Sequence, residues 1–147
     1  RAGDVWYATR EWGLHESGDR QKADLGPVTP EGERLDWKIG EGKRGVANVR
    51  KMAAVEGSGV LWAGAGTLRR VFSAVDSDGE RVFDTAGWEG AIQTVLAACK
   101  EFDVPCGYPA NASDIEERMA QGFSVFVMGW GEPGFETIDV GRRAAGR

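Results

Sequence analysis

LDWKIGEGKRGVANVRKMAAVEGSGVLWAGAGTL, residues 35–68, is the stretch that decides the fold. Leu35–Ile39 alternates apolar and polar residues, as a short strand does. Lys43–Val55 follows with Val46, Val49 and Ala53 on one helical face, and Gly57 and Gly59 close it. Val60–Ala63 is a short apolar run of the buried-strand type. Thr67 is positioned to cap a second helix, Thr67–Val75, in which Leu68, Val71, Phe72 and Val75 recur at helical spacing. Strand, helix, strand, helix with short glycine-rich turns is the signature of parallel β/α units.

The pattern continues downstream. Residues 76–84 read as a loop with a short extended piece at Arg81–Phe83. Gly87–Phe102 is the strongest helix, with Trp88, Ile92, Val95, Leu96, Cys99 and Phe102 in one stripe. Val104–Tyr108 is predicted as a strand. Ser113–Gln121 is predicted as a helix opened by a Ser113/Glu116 capping box and ended by Gly122. Phe123–Met128 is a strand and Thr137–Ala145 a last helix, whose end near Arg142, Arg143 and Arg147 suits the helix dipole. Upstream, residues 5–24 suggest a polar, aromatic-bearing helix or helix pair, and residues 25–34 a loop with two prolines and two glycines. The expected organisation is a single partial domain over 1–147: a helical and loop lead-in over 1–34, then four β/α units over 35–147. Four units suit an open doubly wound sheet or part of a (β/α)₈ barrel, since a complete barrel needs eight strands and about 250 residues.

The 147 residues include 18 basic and 23 acidic side chains, a net charge of −5. Residues 1–50 carry nine of each sign and residues 51–147 nine basic and fourteen acidic, so no basic stripe exists. That weighs against nucleic acid and anionic membrane as partners. No apolar run approaches membrane-spanning length, and no basic segment leads into an apolar one as in a signal peptide. Cys99 and Cys106 fit no zinc or redox spacing and are expected as reduced thiols, with a cytoplasmic location. A single histidine, His15, reads as a surface side chain and makes a His-dependent triad hard to build. Any metal must therefore rely on carboxylates, which suits Mg²⁺ or Mn²⁺ more than Zn²⁺.

Chemistry in either architecture belongs at the C-terminal strand ends. Those ends read Gly40-Glu41-Gly42, Gly64-Ala65-Gly66-Thr67, Gly107-Tyr108-Pro109 and Gly129-Trp130-Gly131-Glu132. The second opens a helix and could hold an anion on its backbone N–H groups. It lacks the third glycine of a dinucleotide fingerprint, having Arg69 there, and the Gly-Lys-Ser/Thr of a phosphate loop. From position alone Glu41 is either a solvated turn acid or an oxygen ligand for a divalent cation. Trp130 could wall a pocket, although most of the six tryptophans (Trp6, Trp12, Trp37, Trp62, Trp88, Trp130) are expected as core or interface anchors.

Residues 35–68, together with GWEGAIQTVLAACKEFDVPCGYPANASDIEERMAQGFSVFVMGW (87–130) and the terminal GRRAAGR, resemble the second half of the HpcH/HpaI aldolase family, which is itself similar to the citrate lyase β subunit. The likeness covers roughly residues 25–147 and lies in the order and spacing of several motifs. It implies the second half of a TIM (β/α)₈ barrel and class II aldolase chemistry on a 2-oxo acid such as pyruvate, with an aldehyde as the other reactant. It places the first metal-ligand glutamate at Glu41, one residue later after Ile39 than in the family pattern. The family's Gly-Pro-Ala-Asp turn falls on Gly64-Ala65-Gly66-Thr67, so Ala65, Gly66 and Thr67 would offer N–H groups to the substrate carboxylate. Thr67 stands where the family has its second metal-ligand Asp. The family's catalytic His and substrate-clamping Arg belong to the other half of the barrel. A homo-oligomer, or the other barrel half, is the implied macromolecular partner. The alternative is a non-catalytic half-barrel, a structural or assembly module that has lost its metal site.

Overall fold

The computed structural model describes residues 37–147, which form one compact unit. Four short strands make an all-parallel sheet: β1 (Trp37–Gly40), β2 (Val60–Ala63), β5 (Cys106–Pro109) and β6 (Val125–Val127), in the order β1-β2-β5-β6. Register is set by Gly40 beside Ala63, Trp62 beside Gly107, and Pro109 beside Val127. Each strand is followed by helix: α1 (Lys43–Ala47) and α2 (Val49–Ala53) after β1, α3 (Ala65–Val71) after β2, α5 (Ile115–Gln121) after β5, and α6 (Glu132–Ala144) after β6. Between α3 and β5 lie the antiparallel hairpin β3 (Ser73–Val75)/β4 (Arg81–Phe83) and the long α4 (Thr85–Glu101).

The core lies on the helical side of the sheet. Leu61, Ala63, Cys106 and Tyr108 from the strands pack with Ile92, Val95, Leu96 and Cys99 of α4, and Ile115 seals α5 against them. This is the stripe expected of α4, except that Phe102 remains partly exposed at its end. On the other side Trp37 stacks on Trp62 at 5.6 Å, and the Trp62 ring lies across Gly107, where any β-carbon would overlap it. Trp37, Ile39 and Val127 are substantially exposed.

Several expectations are corrected. The helix predicted over Lys43–Val55 is two short helices. Asn48 leaves helical geometry (φ −106°, ψ 4°), and its side-chain amide donates to the Arg44 carbonyl at 2.8 Å, competing for a backbone acceptor. Thr67 is not a cap: α3 starts at Ala65 with Gly64 before it, and Ser73–Val75 leaves the helix to pair with Arg81–Phe83. The Ser113/Glu116 capping box does not form, because α5 begins after Asp114, whose carboxylate accepts from the Asn111 N–H. Gly122 closes that helix with φ 113°, as expected. The last helix begins at Glu132, five residues before the predicted start, with Pro133 in its first turn.

Cys99 and Cys106 are joined in a disulfide rather than free. Asp103, at φ 52°, turns the chain back after α4, so the last turn of that helix meets the first residue of β5 with Cα atoms 5.6 Å apart. The reducing-compartment argument drawn from cysteine usage therefore loses its basis. No helix among the described residues is long and apolar enough to cross a membrane. The lead-in over residues 1–34, including His15, lies outside the described residues.

Candidate functional site

The parallel register sets the candidate site. Gly40 and Ala63 end neighbouring strands side by side, so the turns that follow them emerge together at the C-terminal rim of the sheet. Gly64 N–H donates to the Gly40 carbonyl at 3.3 Å, tying the two turns. A β-carbon at Gly64 would sit 2.6 Å from Glu41 Cγ, so glycine is what lets the Glu41 side chain lie across the second turn. The Thr67 hydroxyl donates to Glu41 Oε1 at 3.5 Å, the outer limit of a hydrogen bond. The first backbone N–H of α3 with a helical acceptor is that of Leu68, bonded to the Gly64 carbonyl at 2.8 Å. Those of Ala65, Gly66 and Thr67 precede it, and helix geometry leaves such groups without an intrahelical acceptor. Four of the five sequence candidates (Glu41, Ala65, Gly66, Thr67) therefore meet in one place.

Trp130 does not join them. It follows β6, the opposite edge strand, up to three strand spacings or about 14 Å from β1. Its side chain is fully exposed beside an apolar cavity of about 300 Å³ formed with Met128, Phe135 and Ile138.

Beneath the Glu41/Thr67 corner is a polar cluster that sequence reasoning did not assign to the site. The Trp88 indole N–H donates to the Ala65 carbonyl at 2.9 Å. Phe83 meets the Trp88 ring edge-on at 5.8 Å. Asp84, between them in sequence, caps α4 by accepting from the Gly87 N–H at 2.8 Å. Phe83 and Trp88 thus occupy the two positions of a hydrophobic staple around an N-cap, a spacing visible in the sequence. Next to Trp88, Arg118 is buried and paired through both terminal nitrogens with Glu89, at 2.5 and 2.7 Å. It also lies 4.7 Å over the Tyr108 ring, and its buried Nε has no hydrogen-bond partner among the described residues. The hydrogen bonds that Arg118 donates hold the Glu89 carboxyl below the usual carboxylate range, and the same bonds raise Arg118. Burial pushes the Tyr108 hydroxyl up.

A divalent cation would find one carboxylate and one hydroxyl at this corner. Among the described residues no group of three His, Cys, Asp or Glu side chains could cage a metal. Magnesium commonly takes one or two protein carboxylates and fills its other positions with substrate oxygen and water. The pair would supply at most two of a cation's ligands, with the remaining positions left to substrate and water.

No family model matches the sequence, and no curated protein does. Solved structures do share the fold. One is an HpcH/HpaI aldolase/citrate lyase family protein from Burkholderia cenocepacia J2315 (21% identity, 80% of this chain and 44% of that one, TM-score 0.58). Another is the citrate lyase β subunit of Mycobacterium tuberculosis (21%, 87% and 57%, TM-score 0.60), solved also in complex with oxaloacetate and magnesium. A citrate synthase variant matches at 19% identity, over 86% of this chain and 56% of that one, with a TM-score of 0.53. The chain spans about half the length of these proteins. Its parallel β/α units are part of the aldolase/citrate lyase fold.

Proposed function

We propose that this chain carries part of the active site of a carbon–carbon lyase acting on a 2-oxo acid by way of its enolate. The observation behind this reading is the convergence of Glu41 and Thr67, 3.5 Å apart, at the C-terminal ends of neighbouring parallel strands. Barrel enzymes and open α/β sheets place their chemistry at that end. In this reading the N–H groups of Ala65, Gly66 and Thr67 take the substrate carboxylate. Glu41 and the Thr67 hydroxyl would hold Mg²⁺ or Mn²⁺, which would supply positive charge next to the 2-oxo acid oxygens. The remaining wall, with the groups that move protons, comes from the other half of the barrel or from another copy of the chain. An aldehyde is the co-reactant. The similar citrate lyase β subunit, solved in complex with oxaloacetate and magnesium, supports the ligand class.

A second reading, a non-catalytic barrel half, is favoured by one fact: Thr67 gives the corner a neutral oxygen where a second carboxylate would bind a hard cation better. Exchange of pyruvate methyl protons in D₂O, followed by NMR with Mg²⁺ and then with EDTA, separates the two. Metal-dependent exchange supports the lyase. Exchange equal to that of buffer, with or without metal, supports the non-catalytic half.

A further inference from the structure

The turn carrying Thr67 has no side-chain cap of its own, since Gly64 precedes α3 and offers none. It is held from outside, by Trp88. We infer that Trp88 is a positioning residue for the Glu41/Thr67 corner, acting through the Ala65 carbonyl. This rests on the site reading above and adds to it the group that sets the geometry.

Three observations carry the inference. The Trp88 indole N–H reaches the Ala65 carbonyl at 2.9 Å across 23 residues of sequence, and Ala65 lies two residues from Thr67. The ring cannot swing freely: Phe83 abuts its edge, Arg118 lies 6.0 Å from its centre, and the capped first turn of α4 fixes its Cα. Arg118 is anchored in turn by the two-pronged pair with Glu89. The Ala65 carbonyl is thus pinned by a donor whose position is set by α4, β4 and α5 rather than by α3. A seven-residue helix has little cooperativity of its own, so an anchor at its first residue adds to the burial of Ala65 and Leu68 in limiting how far its first turn frays. Fraying there carries the Thr67 hydroxyl away from Glu41.

The test removes the donor and keeps the shape. Trp88→benzothienylalanine replaces the indole N–H by sulfur in the full chain, and Trp88→Phe serves as a second variant. Without any ligand, hydrogen exchange at the Leu68 and Arg69 amides is expected to rise about fivefold in the sulfur variant, the effect of losing one ordinary hydrogen bond. The Val95 and Leu96 amides of the α4 core should keep their wild-type protection. Unchanged exchange at Leu68 and Arg69 would overturn the inference. So would a uniform rise that includes Val95 and Leu96, which marks a merely structural role. A second arm measures Mn²⁺ affinity in the presence of pyruvate, with a several-fold loss expected in both variants. Wild-type protein that fails to bind Mn²⁺ defeats the site reading, while the ligand-free exchange still decides the role of Trp88.

Discussion

The two edges of the sheet end in similar glycine-flanked turns and are built very differently. At the β1/β2 edge, Gly64 makes room for Glu41, Thr67 reaches it, and Trp88 holds the turn from below. At the β6 edge, Gly134 packs so closely on the Gly129 carbonyl that a β-carbon has no room, yet Trp130 projects entirely into solvent. Close backbone approach alone does not make a site. The β1/β2 corner differs in bringing a carboxylate, a hydroxyl and backbone donors without intrahelical acceptors to one point, with the Arg118 network behind them.

The largest expected effect breaks that network. Glu89→Ala strips the buried Arg118 guanidinium of its ion pair, leaving Gln121 as an acceptor at 2.9 Å, and should cost about 3 kcal/mol, at the lower end for a broken buried pair because Glu89 is partly exposed. Urea unfolding checks it. The same pair gives a pH dependence of definite sign. The Glu89 carboxyl is depressed below its ordinary value of 4.5, so its stabilisation is complete above that value and is lost as pH falls through the depressed one. Between pH 6 and pH 3, wild-type stability should fall more steeply than that of Glu89→Gln. For Tyr108 the sign is opposite: burial raises its pKa, so its contribution is present below pH 10.0 and lost as pH rises beyond it.

Gly64→Val drives a branched side chain into Glu41 and should cost about 2 kcal/mol, within the range for overpacking. Its thermal midpoint should drop, and Mn²⁺ binding should fall with it. Thr67→Asp sharpens the contrast in the other direction. A second carboxylate in place of the hydroxyl that now lies 3.5 Å from Glu41 should raise Mn²⁺ affinity about tenfold and lower stability slightly in the metal-free protein, through like-charge repulsion. Isothermal titration reads the affinity, and urea unfolding the metal-free stability. The smallest effect belongs to the other edge: Trp130→Ser should change stability by less than about 0.5 kcal/mol and leave Mn²⁺ affinity unchanged.

Much of this architecture was legible because its signals are local and periodic. Val60–Ala63 and the Trp88–Cys99 stripe read directly as buried strand and core helix. What escaped was decided by competition between neighbours. Asn48 breaks a helix through one side-chain hydrogen bond, and Val75 leaves a helical stripe because Arg81–Phe83 offers it a partner strand. Cys99 and Cys106 meet only because Asp103 adopts a left-handed backbone, which no spacing rule anticipates. At the site, Glu41 and Thr67 were found from turn positions and resemblance. Trp88 was read as core, because the direction of its N–H depends on where α3 lies. Trp130 was expected to wall a pocket from its place at a strand end; it does line a cavity, but strand order puts that cavity at the edge away from Glu41.

The central claim is that Glu41 and Thr67 form one ligand-holding corner. Mn²⁺ titration followed by electron paramagnetic resonance, in the presence of pyruvate, compares wild type with Glu41→Gln. Saturable binding to wild type that disappears in Glu41→Gln, with the fold unchanged by circular dichroism, is the predicted result. Equal binding to both proteins, or to neither, would contradict it.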